Sequence, residues 1–408
     1  NGSIRYQKLL ENSEKIGSGL GKFVKNNDPV PVYMEKGISA LEVFMGALYS
    51  GGFYSLLNVG LPKMRLEQII NVLDVDYIVT DNEHLEDAKV FFPDKELILY
   101  EDLIKEEIND DLLNEIRKKK IDLDPVYANF TSGSTGVPKG VIVGNRSIID
   151  FVDNFVDTFG IKDDDVIANQ APFDFDVSVK DIYPALKTGA TLVIVPKELF
   201  SKPALLIDFL VDHKVTTMTW AVSALCLIST FHGLDYKVPT SVKRVMFSGE
   251  VMPMKHLKSW MEHLPNAMFV NLYGPTEITC NCTYHIIDRN REYEKIPVGI
   301  PFNNEAVFLL NDKNELVTKE SEKGEICVRG TALALGYYKN NEQTDKAFVR
   351  NPLNDKYIEY IYRTGDLGYY QNNELYFGGR KDFQIKYMGH RIELEEIDKA
   401  IGSFDGVL

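Results

Sequence analysis

Lys243–Gly274, KRVMFSGEVMPMKHLKSWMEHLPNAMFVNLYG, is the stretch on which the fold turns. KRVMFSGE reads as a short strand, PMKHLKSWMEHLP as a helix and AMFVNLYG as a second strand. The rhythm extends upstream. PVPVYMEK, from Pro29, reads as a buried strand, and ALEVFMGALYSGG as a helix closing on glycine. FYSLLNV, DYIVTD, ATLVIVP and TTMTWAV read as strands, separated by the helical RLEQIINVLD, VKDIYPALKTG and ALLIDFLVDHKV. Such alternation predicts an α/β fold of two doubly wound, mainly parallel sheets covered on both faces. Near Tyr284 the texture changes. EAVFLLNDKNELV, GEICVRG and NELYFGGRKDFQIKYMG are short strands with Asn, Asp and Gly turns, predicting a small antiparallel, barrel-like piece. The expected divisions are 1–284, 285–380 and 381–408, with a break near Arg380 to Asp382. DKELILYEDLIKEEINDDLLNEIRKKK reads as a solvated helical face.

The 408 residues suggest two or three domains, and 44% apolar content is ample for a core. Sixty acidic against 45 basic residues give a net charge of -15. That argues against a general nucleic-acid binder, which carries a basic face. The four cysteines (Cys226, Cys280, Cys282, Cys327) form no CxxC pair and read as core or pocket thiols. The most apolar stretch, Ala40 to Leu61, is broken by Glu42 and by Gly46, Gly51 and Gly52, so no membrane span is expected. A cytoplasmic location is the expectation.

NFTSGSTGVPKG, Asn129 to Gly140, follows a strand-like VYANF. Gly133, Gly136 and Gly140 let backbone N–H groups converge on an anion, and Thr131, Ser132, Ser134 and Thr135 add hydroxyl donors. Lys139 adds a point charge, so phosphate is the natural ligand. A Walker A loop is excluded, because Pro138 precedes the lysine and Gly140 follows it.

The later motifs follow in order: FDFDVS (Phe173 to Ser178), NLYGPTE (Asn271 to Glu277), GEICVRG, YRTGDL (Tyr362 to Leu367) and GRKDFQIKYMGHRIELEEID (Gly379 to Asp398). This series resembles the adenylate-forming superfamily, and within it the amino-acid adenylation domains of nonribosomal peptide synthetases. It is also similar to D-alanyl carrier-protein ligases, especially through QAPFDFDVSVKDIYP. The resemblance implies ATP and Mg²⁺, an aminoacyl-AMP product with release of pyrophosphate, and transfer to the phosphopantetheine thiol of a carrier protein. No nucleic-acid or membrane partner is expected.

By that resemblance, Thr131 to Lys139 wrap the β- and γ-phosphates, Thr276 touches the α-phosphate and Glu277 ligates Mg²⁺. Lys139, Thr276 and Glu277 form the expected catalytic set. Asp366 holds the ribose hydroxyls, Tyr273 stacks on adenine, Asn271 reads the adenine edge and Arg380 reaches ribose or phosphate. Gly249, Glu250, Leu272 and Gly274 complete the nucleotide set, and Asp382 marks the hinge. Asp176 pairs with the substrate's α-ammonium. Val177, Lys180, Thr219, Met246, Ser248, Leu272, Gly274, Cys280 and Asn281 line the side-chain pocket. That lining suits a small polar substrate, with serine favoured over alanine or cysteine. Lys180 fits it awkwardly: it either binds an acidic side chain, pairs with Asp181 or points outward. Taken alone, Asp176 is equally a helix cap, Glu277 a helix-start acid and Asp366 a turn aspartate.

The family's second adenylation lysine belongs to a C-terminal α+β subdomain of which 381–408 is the start. The expectation is that residues 1–408 bind ATP and amino acid but adenylate poorly. Two other readings stay open: an acyl-CoA or aryl-acid ligase of the same superfamily, and a non-catalytic nucleotide-binding module.

Overall fold

Two prolines sit in an interior strand of the first sheet, Pro29–Tyr33. They are tolerated there because its hydrogen-bonding groups face alternate sides. Asp28 and Val32 offer their carbonyls to Phe53 and Leu57. On the other side, pairing with Tyr77–Thr80 starts only at Val32, past both prolines. The computed structural model describes residues 2–132, 137–382, 384–387, 390–394, 397 and 401. The chain divides into two units. One comprises Asn1–Ile148, Pro172–Asp174 and Ala334–Gln343; the other comprises Ile149–Ala171, Phe175–Leu333 and Thr344–Leu408.

The first unit holds a seven-stranded sheet in the order Gly336–Tyr337, Lys139–Gly144, Pro125–Thr131, Phe53–Leu56, Pro29–Tyr33, Tyr77–Thr80, Glu96–Leu99. The last five strands are parallel; Lys139–Gly144 pairs antiparallel with Pro125–Thr131, and Gly336–Tyr337 antiparallel with Lys139–Gly144. Glu96–Leu99 corrects the expectation of a helical face over 94–120. ELIL pairs in register with Tyr77–Thr80, and helices occupy only Tyr100–Leu103 and Asp110–Lys119 beyond it.

The second unit holds another seven-stranded sheet: Ile300–Pro301, Thr283–Ile286, Met268–Tyr273, Arg244–Ser248, Thr217–Ala221, Val166–Asn169, Thr191–Ile194. Its last five strands are parallel, as the opening strand–helix–strand stretch predicts. Register fixes what each face carries. Met218, Trp220, Val245, Phe247 and Phe269 point one way, into a core with Leu225, Ile228, Leu257 and Trp260. Thr219, Met246, Ser248 and Leu272 occupy alternate positions and share the opposite face. A six-stranded antiparallel sheet follows, with Leu316–Val317, Glu305–Leu310, Lys323–Gly330, Tyr360–Gln371 and Phe348–Arg350 in order and Glu374–Arg380 paired to Tyr360–Gln371. Gln384–Tyr387 and His390–Glu393 form a separate hairpin. Among the described residues no helix is long and apolar enough to cross a membrane.

Candidate active site

In the first unit the glycine-rich segment is the turn of a hairpin. Thr131 faces Lys139 across the antiparallel pair, so the strands converge at the root of the loop. Gly133, Ser134, Thr135 and Gly136 lie outside the described residues. Thr131 Oγ1 is buried and has no hydrogen-bond partner among the described residues. An orphaned hydroxyl is costly to bury, and it suits a site built for a phosphate oxygen. Lys139 Nζ lies 5.4 Å from the centre of the Tyr337 ring, a cation–π contact that the motif did not announce. Arg65 Nη2 donates to the Thr131 carbonyl at 3.3 Å. Asn58 Nδ2 donates to Asp174 Oδ1 at 3.1 Å, so the FDFDVS motif begins in this unit and continues in the other from Phe175.

In the second unit Ser248 and Tyr273 end adjacent parallel strands, and Gly249 and Gly274 follow them. Carboxyl ends of parallel strands are where open α/β sheets bind ligands. Gly249 has φ +95°, which carries the chain away from the sheet into Glu250. Gly274 is required by close approach: a Cβ there would lie 2.6 Å from Asn281 Cα and 2.8 Å from the Cys280 carbonyl oxygen. The segment between folds back on itself. Cys282 N donates to the Tyr273 carbonyl at 2.9 Å, and Thr279 Oγ1 to the Ala332 carbonyl at 2.7 Å. Thr279 and Cys280 both take left-handed backbone angles, φ 53° and 81°. Non-glycine residues adopt these at a cost, and only where the surroundings hold them.

Thr276 and Glu277 open the 3₁₀ turn Thr276–Ile278 inside this segment, and Glu277 is fully buried. One carboxylate is enough for Mg²⁺ whose other ligands are phosphate oxygens and water. Among the described residues no group of three or more His, Cys, Asp or Glu is arranged as an all-protein metal cage.

Asp366 is buried and doubly held. Its Oδ2 accepts from the Tyr273 hydroxyl at 2.6 Å, and its Oδ1 from Arg380 Nη1 at 2.5 Å. Arg380 also grips Asp382 through Nε and Nη2, both at 2.6 Å. Thr364 Oγ1 receives the Asp366 N–H, and Glu325 Oε1 the Gly365 N–H, so neighbouring side chains shape the turn. Burial and the adjoining Asp366 charge push the Tyr273 phenol far above its ordinary range, so it is a fixed donor. Asn271 Nδ2 donates to the Pro297 carbonyl at 2.8 Å, which engages the amide expected to read adenine.

Lys180 neither points outward nor pairs with Asp181. It is wholly buried, and its Nζ donates to Ser248 Oγ at 3.0 Å and Asn281 Oδ1 at 2.9 Å. Asp181, also buried, accepts from Asn169 Nδ2 at 2.9 Å. Met246, Leu272, Cys280 and Thr219 are buried as well, and Asp176 and Val177 are half-buried. Burial pushes the Cys280 thiol far up, with Lys180 opposing and Asp176 reinforcing that shift. Lys180, Ser248, Cys280 and Asn281 are therefore one cluster. Asp176 opens the 3₁₀ turn Asp176–Ser178, while Ser178 precedes the helix Val179–Thr188 and makes no side-chain cap. Sequence reasoning did not pick out Tyr337, Glu325 or Thr364. Only the flanking GEICVRG and YRTGDL motifs hinted at the last two.

The family model described as AMP-binding enzyme matches residues 1–338. A D-alanine–D-alanyl carrier protein ligase of Bacillus velezensis is 33% identical over 410 residues, spanning 97% of this chain and 77% of the relative. The crystal structure of IdnL1 superposes with a TM-score of 0.85 at 26% identity, covering 100% of this chain and 82% of that one. The nonribosomal peptide synthetase FmoA3 shares the fold, with a TM-score of 0.83 at 24% identity; 92% of this chain is covered, but only 40% of the synthetase. With the motif order, the two parallel-rich sheets and the antiparallel sheet all in agreement, the chain belongs to the AMP-binding enzymes, the adenylate-forming superfamily of ligases.

Proposed function

We propose that the protein activates an amino acid with ATP, giving aminoacyl-AMP and pyrophosphate, and passes the aminoacyl group to the phosphopantetheine thiol of a carrier protein. The substrate's carboxylate oxygen attacks the α-phosphorus and pyrophosphate leaves. This brings two anions together, so neutralising charge is the main task of the site. Lys139 and the hydroxyls of Thr131 and Ser132 take the phosphate-binding role, and Thr276 the α-phosphate. Mg²⁺, when bound through Glu277, neutralises phosphate charge. Asp366 takes the ribose: its oxygens hold about four acceptor positions, so Tyr273 and Arg380 leave room for hydroxyl donors. The same bond to Asp366 sets the orientation of the Tyr273 ring, which the reading lays against adenine.

Amino-acid rather than simple-acid activation rests on one observation. Asp176 is half-buried in the turn that leads into the helix of Lys180, whose Nζ holds Ser248 and Asn281. A carboxylate there suits an ammonium. For the side chain, a short polar group with serine favoured is the sequence's own choice, and D-alanine is the comparator that the curated relatives' names supply. The divisions at 284/285 and 380/381 and the hinge at Asp382 belong to the same reading. The test is ATP–pyrophosphate exchange on the full-length protein across the amino acids. Exchange should require an amino acid and be lost in Asp176→Ala. An aryl or fatty acid that drives exchange equally well in wild type and Asp176→Ala would refute the reading.

A further inference from the structure

In the second unit a buried ammonium rests, among the described residues, on neutral acceptors. Lys180 is fully buried, yet both acceptors on its Nζ, Ser248 Oγ and Asn281 Oδ1, are neutral. Cys280, its other close neighbour, stays a neutral thiol. Among the described residues Lys180 forms no ion pair. Asp181, the next residue of the helix, accepts a hydrogen bond from Asn169 on its carboxylate, and its charge bears on the cluster at Cys280. Asp176 lies one turn before Lys180 on the same face, but Lys180 reaches past it to the sheet. Neutral dipoles compensate a buried charge only in part, and an anion is needed to complete the balance.

The surroundings hold the donors such an anion requires. Ser248 and Asn281 spend acceptor oxygens on Lys180, which leaves the serine hydroxyl hydrogen and the asparagine N–H₂ to donate. Thr219 Oγ1, on the sheet face that carries Ser248, is buried with no partner among the described residues. Ser248, Thr219 and Asn281 are thus neutral and able to donate.

We propose that Lys180 reads an anionic side chain, so that the amino acid activated is a short dicarboxylic one, of the aspartate class, rather than serine or alanine. This rests on the amino-acid activation proposed above. With its ammonium group at Asp176, such a substrate presents opposite charges to two side chains one helical turn apart. A neutral side chain leaves the lysine charge uncompensated.

The test is pyrophosphate exchange on the full-length protein with D- and L-aspartate, D- and L-glutamate, serine and D-alanine, in wild type, Lys180→Met and Lys180→Arg. The inference expects wild type to favour an acidic substrate over serine and D-alanine by at least about 100-fold in kcat/KM, since rejecting a substrate that leaves buried polar groups unpaired is efficient. Lys180→Met should invert that preference, and Lys180→Arg should keep its direction. A wild type that prefers serine or D-alanine overturns the inference and leaves amino-acid activation standing. An equal loss with every amino acid in Lys180→Met also overturns it, because Lys180 would then serve the shared α-carboxylate. Exchange with no amino acid overturns both proposals. If Lys180→Met does not fold, the wild-type panel alone decides.

Discussion

Replacing Gly274 with alanine would drive a methyl group into main chain, not into side chains that can swing away. The new Cβ would stand 2.6 Å from Asn281 Cα, 2.8 Å from the Cys280 carbonyl oxygen and 2.9 Å from the Cys282 nitrogen. Real Cβ contacts do not approach so closely, so the 274 and 280–282 segments must part. That strains the Cys282 N–H bond to Tyr273 and the left-handed angles at Thr279 and Cys280. Forced overpacking of this kind costs about 1–3 kcal/mol. The assay is built into the protein. Its two tryptophans, Trp220 and Trp260, are both buried in the second unit, so urea unfolding followed by their emission reports that unit. The unfolding free energy read from tryptophan emission should fall by that amount. Because Asn281 moves with its segment and holds Lys180, KM for the amino acid should rise more than KM for ATP. An unchanged midpoint together with unchanged KM values would refute the claim that this approach is fixed.

Burial pushes the Glu305 carboxyl up to about 8 from an ordinary 4.5, with Asp150 adding to the shift against the N–H donors of Ala332 and Thr331. Its stabilising contribution is therefore complete below about 4.5 and lost as pH rises through about 8. The unfolding free energy by the same urea assay should drop across that window by about 2–4 kcal/mol, and Glu305→Gln should flatten the dependence; an equally steep profile in the variant would exclude Glu305 as its source. Thr131→Val removes a buried hydroxyl with no partner among the described residues, so it should leave stability within about 0.5 kcal/mol or raise it, while KM for ATP rises; a loss of stability with unchanged KM would assign the hydroxyl to folding instead. Tyr273→Phe takes one donor from buried Asp366 and should cost about 1–3 kcal/mol by the same urea assay, with weaker ATP binding by calorimetry as the companion effect.

Strand positions were legible because each apolar run is short and ends in Gly, Asp or Asn, as KRVMFSGE and AMFVNLYG do. Glu96–Leu99 was not, because acidic and basic neighbours disguise four residues whose identity as a strand depends on Tyr77–Thr80 beside them. The two-residue strand Gly336–Tyr337 carries no periodicity at all. Within the candidate site, residue types were legible and partners were not. YRTGDL marked Asp366, yet nothing local could reveal that Tyr273, 93 positions earlier, donates to it. Lys180 shows this most plainly. A lysine on an amphipathic helix reads as solvent-facing, and only the register of Ser248 and the fold-back at Gly274 bring it acceptors inside the protein.

The chain leaves the first unit after Ile148, returns at Pro172–Asp174 and again at Ala334–Gln343. During synthesis, the strand Lys139–Gly144 must therefore wait for nearly two hundred further residues, at biosynthetic speed, before Gly336–Tyr337 can cap it. Until then the nascent sheet has an open border, the kind that invites strand exchange with a neighbouring polypeptide. Expression of residues 1–148 alone should consequently give an aggregation-prone product, and joining the 334–343 segment to that fragment through a short linker is the rational way to make it tractable.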